Sequence, residues 1–168
     1  MKKTDNRGFS LVELIAVLAI MAVLVGIFAF GYSLISNKQV DQCAKKIQVS
    51  LENARTTSLG KSSVDLKFYP SGGKIYLEKT LDGDASKATT SEIGDGKLSV
   101  KFMFKKSGAA NVEKNAATVA VTGIAFDRAS GAIKADNTGY YLDSVKVSNG
   151  RKTLTVSVEK LTGRVTID

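Results

Sequence analysis

From Leu14 to Gly31 the chain runs eighteen residues without a charged or strongly polar side chain, and one carboxylate, Glu13, stands at the entrance to that run. Eighteen apolar residues at about 1.5 Å of rise each meet the length needed for a bilayer-spanning helix. An acidic side chain placed in such a helix costs on the order of 2.5 kcal/mol unless it has a partner. Any account of the chain must therefore explain Glu13.

Ahead of it lies a short basic leader, Lys2, Lys3 and Arg7 against Asp5, which ends at Gly8. Three arrangements fit a basic segment joined to an apolar one. An ordinary secretory signal has an apolar core of roughly 7 to 15 residues followed by a small-residue cleavage site. Here the run is longer, and the small residue that resembles a cleavage point precedes it. A plain membrane anchor fits the length and the basic leader but leaves the carboxylate unexplained. The third arrangement is a leader that is removed while the apolar helix stays.

That third arrangement carries a specific resemblance. Gly8-Phe9-Ser10-Leu11-Val12-Glu13-Leu14 ahead of a hydrophobic helix resembles the prepilin signature of type IV pilins and of the pseudopilins of type II secretion and competence systems. The resemblance implies cleavage between Gly8 and Phe9 by a membrane-embedded prepilin peptidase. It also implies N-methylation of the new terminus, Phe9, and an assembly role for Glu13. In a fibre core the Glu13 carboxylate would pair with the α-amine of Phe9 on a neighbouring subunit, where low dielectric strengthens the attraction and penalises an unpaired charge.

Beyond Asn37 the pattern turns amphipathic. Val40, Cys43, Ala44, Ile47, Leu51 and Ala54 recur at spacings of three and four, with Lys38, Asp41, Lys45, Lys46, Gln48, Glu52 and Asn53 on the other face. No proline interrupts Phe9 to Leu59, which predicts one helix with Gly60 as its stop. Cys43, the only cysteine, reads as a small buried hydrophobe. A lone cysteine forms no intramolecular disulfide, so stability rests on burial and hydrogen bonds.

After Gly60 the period falls to two. Val64, Leu66 and Phe68, then Ile75 and Leu77, then Leu98, Val100, Phe102 and Phe104 each alternate with polar residues. The pattern returns at Val119 to Phe126, Ile133, Val145 and Val147, Leu154 to Val158, and Val165 to Ile167. Residues 82–96, rich in Gly, Asp, Ser and Thr, read as an exposed loop. The expected fold is α+β: a long amino-terminal helix, membrane-spanning and then amphipathic, packed on an antiparallel β domain of two sheets and about eight strands. The expected division is a leader at 1–8, an apolar helix at 9–36, its amphipathic continuation at 37–60 and the β domain at 61–168.

Composition limits the chemistry. The chain of 168 residues has a net charge of +8 and no histidine, which removes the commonest general base and the commonest metal ligand together. No Ser-His or Cys-His couple exists, and no glycine-rich loop opens a helix to hold phosphate. Neither catalysis nor a cofactor is expected. Asp82, Asp84, Asp95 and the Asp136-Asn137 pair offer oxygen ligands for calcium, without the twelve-residue loop spacing such a site commonly shows. The excess positive charge is spread along the chain, a distribution that favours solubility over nucleic-acid binding.

Two turns near the end, Phe126-Asp127-Arg128-Ala129-Ser130-Gly131 and Thr162-Gly163-Arg164-Val165-Thr166-Ile167, resemble the GspH/FimT subfamily of minor pilins and pseudopilins. Some members bind DNA through a carboxy-terminal Gly-Arg-x-Arg, and here Thr166 replaces the second arginine. Arg164, with the basic pair Arg151-Lys152, is the candidate DNA contact; Lys105-Lys106 is a further basic pair.

The sequence thus reads as a structural, minor subunit of a type IV pilus or a type II secretion-like pseudopilus. Its expected partners are the prepilin peptidase, other pilin-type subunits, the inner assembly platform and, before assembly, the bacterial cell membrane. Two alternatives stay open: a competence-type subunit that binds DNA, and an anchored exodomain that does not polymerise.

Overall fold

The computed structural model describes residues 10–60 and 62–168, excluding the side chains of 28–34. Gly8, Phe9 and the leader lie outside the described residues. One helix, α1 (Leu11–Ser58), precedes nine strands: β1 (Val64–Ser71), β2 (Lys74–Leu81), β3 (Asp84–Asp95), β4 (Ser99–Lys105), β5 (Val112–Asn115), β6 (Val121–Ala125), β7 (Tyr141–Ser148), β8 (Thr153–Val158) and β9 (Val165–Ile167). The chain divides into two compact units, Met1–Ser36 and Asn37–Asp168.

Within the first unit, the described side chains from Leu11 to Ile27 are all exposed. Among the described residues no helix is long and apolar enough to cross a membrane. The last four residues of the eighteen-residue run read from sequence, 28–31, lie outside the described side chains.

Within the second unit, the helical stripe expected to be buried is buried: Val40, Ala44, Ile47, Leu51 and Ala54 are fully inaccessible and Cys43 nearly so. It packs into one apolar cluster with the inward faces of two antiparallel sheets, ordered β3-β2-β1-β6 and β5-β4-β7-β8-β9. The alternation in β1 and β4 explains how one core serves both sheets. Phe68 and Phe102, both fully buried, meet with ring centroids 4.7 Å apart and planes tilted by 47°. Such tilted pairs contribute beyond the area they bury.

Two expectations need correcting. Among the described residues there are nine strands against the eight or so expected, and residues 82–96 are not a loop: most of them form β3. This segment lacks an apolar rhythm because Ala85 to Glu92 are exposed on both faces, so no buried side forced alternation. Asp82 and Gly83, at φ 52° and 71°, make the two-residue hairpin turn that joins β2 to β3. Main-chain pairing of Thr89–Glu92 with Tyr76–Lys79 then holds the strand. Ile93, displaced by a register shift, is its one buried apolar residue.

Candidate functional site

Ser10 is the last non-helical residue before α1, and its hydroxyl accepts a hydrogen bond from the Val12 amide at 3.3 Å. Glu13 answers from the first turn: its Oε2 accepts from the Ser10 amide at 3.4 Å. This reciprocal Ser-x-x-Glu arrangement satisfies helix-start donors, and a carboxylate in the first turn also suits the helix dipole. Glu13 is exposed. Its described partner is therefore the amide of its own Ser10.

The two carboxy-terminal turns, far apart in sequence, meet in space. Asp127 Oδ1 accepts from the Ser130 amide at 2.9 Å, the Ser130 hydroxyl at 2.8 Å and the Ala129 amide at 3.1 Å. These donors, Ser130 first, hold the Asp127 carboxyl below the usual carboxylate range. The second turn closes through the Gly163 amide on the Glu159 carbonyl at 2.8 Å. A Cβ built on Gly163 would lie 1.9 Å from the Gly131 carbonyl oxygen, and both glycines have positive φ. From the helix, Arg55 Nε donates to the Thr162 carbonyl at 2.7 Å, and the Ile133 amide donates to the Lys160 carbonyl at 3.2 Å. The motif residues thus lock a corner of the fold together.

Arg164 is exposed on that corner, in shallow clefts it shares with Asp143 and Glu159 on one side and Glu52 and Arg55 on the other. Arg151 and Lys152 sit at the opposite end of β8, in the β7–β8 turn. Six residues of strand separate the two ends, roughly 20 Å, so the structure does not bring the three cations together. Lys152 is already engaged by Asp41 of α1. Asn149 organises its turn: Oδ1 accepts from the Arg151 and Lys152 amides at 2.9 and 2.8 Å, and Nδ2 donates to Asn37 Oδ1 at 3.1 Å. This turn-to-helix clamp was not read from the sequence, although Asn149-Gly150 between two apolar runs is a turn signal. Lys105 pairs with Asp143 at 2.9 Å, and Lys106 donates to the Thr138 carbonyl at 2.8 Å.

The aspartates considered for calcium accept protein hydrogen bonds, three of them within local turns and Asp82 from a residue nineteen positions away. Asp82 accepts from the Ser63 amide, Asp84 from Ser86, Asp95 from the Lys97 amide, and Asp136 from Thr138 and Tyr140. Among the described residues no group of three or more His, Cys, Asp or Glu side chains is placed to hold a metal ion. The apolar groove between α1 and β3, of about 630 Å³, is walled by Val49 and Ile93 with Lys45 and Lys46 at its rim.

Residues 3–29 match the family model of the prokaryotic N-terminal methylation motif. The chain carries a prepilin-type signal. No curated protein and no solved structure matches the chain. The signal contains Gly8, Phe9 and the Ser10–Glu13 cap, and it ends within the apolar run. The motif implies processing by prepilin peptidase and assembly with other pilin-type subunits. The two carboxy-terminal turns lie beyond the matched residues.

Proposed function

We propose that the chain is a structural, minor subunit of a type IV pilus or a type II secretion-like pseudopilus. On this reading prepilin peptidase cuts between Gly8 and Phe9, and Phe9 becomes the methylated terminus. The apolar helix holds the subunit in the bacterial cell membrane as a single pass, with the β domain outside the cytoplasm, until the assembly platform draws it into a fibre. The match of residues 3–29 to the methylation motif carries the reading. The unbroken row of exposed apolar side chains behind Glu13 supports it, because a surface of that kind needs either lipid or other subunits to cover it.

In this account Glu13 exchanges partners. In the single chain it caps its own helix at Ser10, a contact worth about 1 kcal/mol. In the fibre the α-amine of Phe9 on a neighbour replaces that amide with a full opposite charge in a drier setting. The scattered positions of Arg164 and of Arg151-Lys152 argue against a single DNA-gripping face.

Two substitutions test the reading. Gly8→Leu should leave the full-length precursor on a gel and in the membrane fraction. Glu13→Ala should be processed yet fail to enter sheared filaments; assembly at wild-type level would refute the pairing role, and normal processing of Gly8→Leu would refute the cleavage site.

A further inference from the structure

The clamp that ties the β7–β8 turn to Asn37 has a consequence for where its cations stand. Asn37 is the first residue of the second unit, and Ile35, exposed and apolar, is only two residues back along the chain. Two residues span at most about 7 Å, so connectivity alone keeps Asn37 beside the end of the apolar segment. Asn149 holds its own turn against Asn37, and Lys152 is bound to Asp41 one helical turn further on. Lys152 therefore neutralises Asp41 and serves the clamp. Lys38, next to Asn37 in the chain, and Arg151, in the turn that Asn149 organises, are both exposed cations.

We propose that Lys38 and Arg151 form a cationic rim that binds the phosphate of anionic phospholipid headgroups. The inference rests on the membrane stage of the proposed function: with the apolar segment in a bilayer, Asn37 lies at headgroup level. Phosphate suits the pair because an exposed guanidinium presents a planar fork of donors and a neighbouring ammonium adds a point charge. Each cation near an anionic surface is worth about 1 kcal/mol. Removing both should weaken headgroup contact on the order of 30-fold. The same contact would orient the subunit on the membrane before assembly. Lipid is favoured over nucleic acid because Asn37 follows the apolar run directly in the chain, and Arg164 stands at the other end of β8.

The test uses the full chain with a fluorophore on Gln39→Cys; buried Cys43 does not compete for the label. Vesicles of phosphatidylcholine alone, or with phosphatidylglycerol, carry a headgroup-attached quencher. Quenching should be stronger with phosphatidylglycerol, fall with added salt, and drop to the neutral-vesicle level in the Lys38→Ala, Arg151→Ala double variant. Insertion into both vesicles with quenching that ignores composition, or that the double variant leaves unchanged, would overturn this inference while leaving the fibre reading intact. Failure to insert into either vesicle would sink both. Salt-sensitive retention on duplex DNA, lost in the double variant, together with equal quenching in the two vesicles, would reassign the rim to nucleic acid.

Discussion

Gly163 approaches Gly131 so closely that a methyl group on it would lie 1.9 Å from the Gly131 carbonyl oxygen. The contact joins two turns separated by more than thirty residues and sits over the last turn of α1, where Arg55 bonds the Thr162 carbonyl. Residues in these turns that sequence reading offers as a DNA motif thus have a structural duty to meet first.

Gly163→Ala should therefore be costly. It meets backbone, which cannot step aside, and its φ of 63° is unfavourable for any residue with a Cβ. A loss of roughly 3 kcal/mol is expected, lowering Tm by on the order of 10 °C. Gly83→Ala is the control: its φ is 71° but the space is open, so only about 1 kcal/mol should be lost. Equal thermal shifts for the two variants would show that the close approach is unimportant.

The β7–β8 turn should depend on its asparagine more than on its ion pair. Lys152 and Asp41 are both well exposed, so Lys152→Ala should cost at most about 1 kcal/mol and less in salt. Asn149→Ala removes a cap on two amides and the bond to Asn37, for about 1 to 2 kcal/mol. Chemical denaturation of both variants ranks them, and the reverse order would contradict the clamp.

Acid should weaken the fold through its turn aspartates. Asp84, Asp127 and Asp136 all have carboxyls held below the usual range, chiefly by hydrogen bonds from Ser86, Ser130 and Thr138 respectively. Because the folded pKa lies below the unfolded one, the stabilisation is fully present above the unfolded value of about 4 and fades as pH falls through the folded values. Tm should stay level from neutral pH to about 5 and drop below about 4. Asp127→Asn keeps the acceptor oxygen without the charge, so it should shrink that drop; an unchanged acid profile would remove Asp127 from the account.

Cys43 should be inert in the folded protein. Burial pushes its thiol up to about 12, and the side chain is packed against Gly94, where a Cβ would come within 2.9 Å of Sγ. A thiol reagent at pH 8 should label it only through opening of the domain, and readily once denaturant is present. Fast labelling in native buffer would mean that the stripe around Cys43 is not sealed.

Ser58 closes α1 as a buried hydroxyl with no hydrogen-bond partner among the described residues. Burying such a group costs about 1 to 3 kcal/mol. Ser58→Ala should therefore raise stability by on the order of 1 kcal/mol, read from the denaturation midpoint, and a fall would reveal a partner.

The helical stripe from Val40 to Ala54 and the alternation in β1, β2, β4, β7 and β8 were legible because each buries one side against a common core, and burial writes its period into the chain. β3 was not legible: with both faces of Ala85–Glu92 in solvent, pairing with β2 constrains the backbone and leaves the side chains free. The Asp82-Gly83 turn was the one available signal. β5, four residues long with Val112 to Lys114 exposed, escaped for the same reason.

Sequence alone carried the prepilin-type signal that includes Gly8, Phe9 and Glu13, because a short linear motif needs no fold to be recognised. It also determined the buried stripe and most strands, since local periodicity follows from which face is dry. Only the tertiary structure decided that Arg164 and Arg151-Lys152 stand at opposite ends of β8, that Lys152 answers Asp41, and that Gly131 and Gly163 touch. Those relations join residues from about a dozen to more than a hundred positions apart, and chain spacing carries no information about which turns the packing of two sheets will bring together.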